Sequence, residues 1–82
     1  MIVYSIYTRL RGVHGDVHVI VAAGSHVKAA DLIGISVRDV KSAGEETKNR
    51  DLIAQAMTEP GVVFIQDAND RNSTWRKYEA PQ

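Results

Sequence analysis

The chain has no cysteine. That excludes a disulfide framework, a thiolate metal site and a thiol nucleophile. It also lacks an excess of either charge, because ten Lys and Arg stand against ten Asp and Glu. No global field therefore draws it onto nucleic acid or an anionic membrane, and any such binding needs a local basic patch. Long apolar runs are missing too. The opening stretch "MIVYSIYTRLRGVHG" has no charged segment ahead of its apolar residues and carries Arg9 and Arg11 inside it, so neither a signal peptide nor a membrane span is expected there. Gly-x-Ser-x-Gly, a Gly-rich phosphate loop and His-Glu-x-x-His are all absent, and no spacing pairs a nucleophile with a base. The expectation is a soluble cytoplasmic protein that is not an enzyme, needs no cofactor and does not bind membranes. At 82 residues it should form one domain, residues 1–82, with a single core and a stability margin of about 5 kcal/mol.

What is present is a clear order of periodicities. In the first ten residues Ile2, Tyr4, Ile6 and Leu10 alternate with Val3, Ser5, Tyr7 and Arg9, the period of a half-buried strand. After Gly12 and Gly15, Val17, Val19 and Val21 alternate with Asp16, His18 and Ile20, so the two segments read as a hairpin. Ser25 is a good N-cap for "HVKAADLIG", whose Val27, Ala30 and Ile33 fall at helical spacing before Gly34. "ISVRDVKSAG" leans toward a short helical segment capped by Ser36, although Ile35 and Val37 also alternate. Thr47 or Asn49 can cap a further helix with the apolar stripe Leu52, Ile53, Ala56 and Met57, stopped by Pro60 and Gly61. "VVFIQ" reads as a strand, "DANDRNS" as a turn and "TWRKYE" as a returning edge strand. The pattern predicts an α+β domain of ββααββ order, an antiparallel sheet of about four strands with two helices on one face.

Three groups of residues are candidates for function. His14, Asp16 and His18 in "HGDVH" are the sharpest metal or catalytic set. The ligand count is short, with His26 the nearest addition, so exposed hairpin residues and no metal are the expected outcome. The far face of the sheet carries Tyr7, Arg9, Arg11 and His18, joined from the last strand by Arg76 and Tyr78. Aromatics interleaved with arginines suit a protein partner or a single-stranded nucleic acid. The alternative is a helix-turn-helix-like element over residues 27–42, in which Ala30, Gly34 and Val40 take the structural positions. Ser36, Arg38 and Lys41 would then meet DNA. "DANDRNS" lacks the glycine and the distal Glu of a calcium loop. Glu45, Glu46, Asp51 and Glu59 bias the helical side toward acid.

The Ala-Ala ending the second strand, Ser25, Ala29-Ala30, Gly34, Ser36, Glu46-Thr47, Asn49, Ile53, Ala56, Pro60-Gly61, Val63-Phe64 and Trp75 resemble a pattern in small, functionally uncharacterised proteins of proteobacterial phages and prophages. Lys48 departs from that pattern, standing where glycine is common. The resemblance carries no catalytic residues. It implies an accessory phage gene whose product acts in the host cytoplasm by binding a host protein, as anti-CRISPR and other anti-defence inhibitors do. Apart from the resemblance, the sequence leaves self-association open as a further partnership.

Overall fold

The structure, a computed structural model, describes residues 1–69 and 74–79. Strands β1 (Ile2–Arg9) and β2 (Asp16–Ala23) are followed by helices α1 (His26–Ile33) and α2 (Val37–Ala43). Then come β3 (Gly44–Glu46), α3 (Arg50–Met57), β4 (Val63–Asp67) and β5 (Arg76–Tyr78). The strands form one sheet in the order β3-β1-β2-β4-β5, with every neighbouring pair antiparallel. The expected α+β class and antiparallel sheet are what the chain adopts.

The β1–β2 register runs from Ile2 opposite Ala23 to Arg9 opposite Asp16. Because residues facing each other across a ladder share a face, this register sorts the hairpin into two sets. Tyr4, Ile6, Val17, Val19 and Val21 lie on one face and join Val63 and Ile65 of β4 in the larger core cluster, against Ala29, Ala30 and Ile33 of α1 and Val40 of α2. Val3, Ile20, Ala22 and Phe64 lie on the other face and pack against Ala56, with Leu52 and Ile53 alongside. The helices are thus divided, α1 and α2 on one face and α3 on the opposite one. Two thin layers flank the sheet, where the sequence reading had one.

Each helix starts where a side-chain oxygen can take an otherwise unpaired amide. Ser25 Oγ accepts from Lys28 N, Ser36 Oγ from Asp39 N, and Asn49 Oδ1 from both Asp51 N and Leu52 N. α1 ends at Gly34 with φ 85°, a left-handed cap whose N–H donates to the Ala30 carbonyl. Residues 35–44, ambiguous in sequence, resolve into α2 and the start of a fifth strand. Gly44 is required at that junction, because a Cβ there would sit 2.6 Å from the Val40 carbonyl oxygen.

The eight residues of α3 span about 12 Å of helix, whereas the eight-residue strands beneath run about 27 Å. One short helix cannot cover that length. It seals the end of the sheet carrying Val3, Ala22 and Phe64 and leaves the other end of the same face open.

Candidate functional site at the open end of the sheet

The open end is built by alternation. β1 contributes Ser5, Tyr7 and Arg9 to this face, and β2 contributes His18 and Asp16 opposite the last two. β4 brings Gln66 opposite His18, β3 brings Glu45 opposite Ser5, and Trp75 precedes β5. At the centre lies His18, only 8% exposed. Its ring stacks on Tyr7 with centroids 4.3 Å apart and 15° between planes, and Trp75 approaches edge-on at 5.3 Å. Ser5 Oγ and His18 Nε2 are hydrogen-bonded at 2.6 Å. The His18–Trp75 separation lies in the usual range for aromatic pairs, roughly 4.5–7 Å, and the Tyr7–His18 stack is slightly closer.

Tyr7 is nonetheless 62% exposed. Its ring is fixed on one side by the imidazole and presented to solvent on the other. Beside it the Arg9 Nε–Asp16 Oδ1 ion pair closes at 3.0 Å. Burial holds the His18 imidazole below its ordinary pKa, since desolvation disfavours the cation, and the negative charge of Glu45 partly opposes that. The site therefore centres on a buried imidazole biased toward its neutral form.

Of the sequence-predicted residues, Tyr7, Arg9 and His18 come together here. Arg76 and Tyr78 do not. β5 pairs Ile65 with Arg76 and Val63 with Tyr78, and both partners face the α1–α2 core, so the two side chains lie on the opposite face. Arg76 there meets Asp67 at 3.6 Å, and the Tyr78 hydroxyl donates to the Arg11 carbonyl at 3.0 Å. Arg11 lies past the end of β1, in the turn. Arg11 and Tyr78 instead border a cavity of about 280 Å³ near Gly34 and Asp39, which Arg9 also reaches. The residues that alternation should have added to the open face are Trp75 and Ser5. Ser5 shares the parity of Tyr7 and Arg9, and Trp75 immediately precedes Arg76, so the parity of β5 is the signal that decides which of its residues reach this face.

The hairpin set His14, Asp16 and His18 is not assembled as a metal centre. His14 is exposed in the turn, Asp16 is paired with Arg9, and His18 is committed to Ser5. Among the described residues no group of three or more His, Asp or Glu is placed to hold a metal. Residues 70–73 of the supposed calcium-like turn lie outside the described residues. Ser36 spends its hydroxyl on the α2 cap, and Arg38 and Lys41 are exposed on either side of the equally exposed Asp39.

The Ser5–His18 contact has the separation of a nucleophile and its base, but its surroundings oppose that chemistry. Ser5 is 5% exposed, and the strand amides around it belong to the β1–β2 and β1–β3 ladders. Those amides cannot also stabilise an oxyanion. The pair instead satisfies two buried polar groups and fixes the ring that supports Tyr7.

Comparison with protein-family models, with curated proteins and with solved structures returns no significant match to this chain.

Proposed function

We propose that this chain is a non-enzymatic binding protein that seats a protein partner on the open end of its sheet face, with Tyr7 as the anchor and His18, Trp75 and Arg9 around it. The observation that carries this reading is Tyr7, 62% exposed yet stacked on a buried, hydrogen-bonded histidine. An exposed aromatic already held in one orientation loses little freedom on binding, and Tyr, Trp and Arg dominate interface energetics. Taken with the phage resemblance, the partner is a host protein and the role is accessory, an anti-defence inhibitor being one form of it.

The test is affinity capture from host lysate with tagged wild-type protein and with the Tyr7→Ala, Arg9→Ala double variant. Both side chains are exposed and outside the core clusters, so the variant should melt close to wild type while losing the captured protein. Retention of the same protein at unchanged affinity by a folded double variant would move the interface away from Tyr7, first to the other acidic residues Glu46, Asp51 and Glu59.

A further inference from the structure

We propose that the free flank of Tyr7, together with Glu45, receives the guanidinium of an arginine presented by the protein partner. This rests on the reading of the open sheet end as the partner's seat. Three features of the site converge on it.

The first is the space beside the ring. Tyr7 stacks on His18 toward β2, but toward β3 no strand residue faces it, because β3 begins at Gly44 opposite Ile6. The second is a carboxylate at the right place. Glu45 lies opposite Ser5, which makes it the diagonal neighbour of Tyr7 on the same face, within reach of long side chains. It is exposed and in no ion pair among the described residues, whereas Asp16, Asp67 and Glu59 are paired with Arg9, Arg76 and Lys77. The third is the neighbouring charge. Among the described residues, the cation two positions along β1 from Tyr7, Arg9, is already held by Asp16 at 3.0 Å, which offsets its repulsion of an incoming one.

A guanidinium matches this arrangement in both of its properties. Its plane stacks on a ring face, and its fork of donors pairs with a carboxylate in a way a lysine ammonium cannot reproduce. A nucleic-acid strand could stack a base on Tyr7, but its phosphates would meet Glu45, exposed on β3 and on the same face. A second copy of this chain would have to offer one of its own arginines.

The test titrates the isotope-labelled full chain with the blocked peptide acetyl-Gly-Arg-Gly-amide and with its citrulline counterpart, followed by NMR. Saturable shifts at the amides of Tyr7, His18 and Glu45 are expected, with the arginine peptide bound about three- to tenfold more tightly than the citrulline one, as a partly exposed cation–π and ionic contact provides. Glu45→Gln should erase that preference, and Tyr7→Leu should weaken both peptides. Equal binding of the two peptides by wild type, or shifts confined to other surfaces, overturns the proposal. So does saturation of the same residues by an oligothymidylate in preference to the arginine peptide, or by self-association that grows with protein concentration. If capture of the partner is lost in Tyr7→Ala, Arg9→Ala but untouched in Glu45→Gln, the binding reading stands and the arginine assignment falls.

Discussion

His18 and Tyr4 are buried polar rings, one on each face of the sheet, with opposite solutions to the same problem. His18 has Ser5 as a hydrogen-bond partner and rings on two sides, and burial depresses its pKa against the smaller opposing effect of Glu45. The unfolded chain then binds a proton more readily than the folded one below about pH 6.5, so stability should be complete above that value and fall as pH drops toward the depressed folded value. Thermal melts between pH 7.5 and 5.5 should show this decline, and it should shrink in His18→Gln and steepen in Glu45→Gln. Parallel curves for wild type and His18→Gln would mean the imidazole is not buried in solution. Tyr4 lies 4.9 Å from the His26 ring, and its hydroxyl is buried without a hydrogen-bond partner among the described residues. Burial pushes its phenol pKa up, with Glu46 adding to the effect. Tyr4→Phe retains the ring and removes the unsatisfied group, so it should raise stability by about 0.5–2 kcal/mol in urea unfolding. A clear loss of stability would show that the hydroxyl finds a partner in solution.

The elements differ in how openly their residues announce them. The β1–β2 hairpin was legible because Val17, Val19 and Val21 alternate strictly with Asp16, His18 and Ile20, and a period of two fixes which residues share a face. The caps at Ser25, Ser36 and Asn49 were legible because their chemistry is local. β3 was not, since Gly-Glu-Glu has no strand character of its own and becomes a strand only by pairing with Tyr4, Ser5 and Ile6. The side of the sheet taken by α3 was equally hidden. Its stripe of Leu52, Ile53 and Ala56 says that the helix is buried and nothing about where, and the chain reaches the far face through the edge strand that the sequence did not reveal. The aromatic site has a gap of the same kind: Tyr7, Arg9 and His18 followed from alternation within the hairpin, whereas Trp75 depended on the parity of β5. Phe64 measures the consequence for α3. It is 4% exposed and packs with Val3, Ile20, Ala22 and Ala56 beneath that helix. Phe64→Ala should therefore cost about 3–5 kcal/mol, most of the margin of so small a domain, with α3 losing protection in hydrogen exchange before the α1–α2 face does. A melting point within a few degrees of wild type would contradict the packing of α3 on Phe64.

For the molecule as a whole, the two faces of the sheet have different fates. One is closed by α1 and α2, the other is half closed by α3, and the remaining half carries rings without a basic field. The chain has ten cationic and ten acidic side chains. Arg9, Arg76 and Lys77 are held by Asp16, Asp67 and Glu59 at 3.0, 3.6 and 2.8 Å. These are surface pairs of small energetic weight, and the equal number of carboxylates over the chain leaves no net positive charge to favour phosphates. The sequence pattern that suggested a DNA-reading element, residues 27–42, falls on α1 and α2. Its second helix has seven residues, places the exposed Asp39 between Arg38 and Lys41, and is tied to the sheet through Val40. The domain should accordingly show no sequence-specific duplex binding at physiological salt, and any residual association should be weaker than the roughly 10⁻⁴–10⁻⁶ M of ordinary non-specific binders. Selection from a random duplex pool at two salt concentrations measures both quantities. Recovery of a consensus sequence, with binding lost in Arg38→Ala and retained in Tyr7→Ala, would transfer the function from the sheet face to the α1–α2 pair.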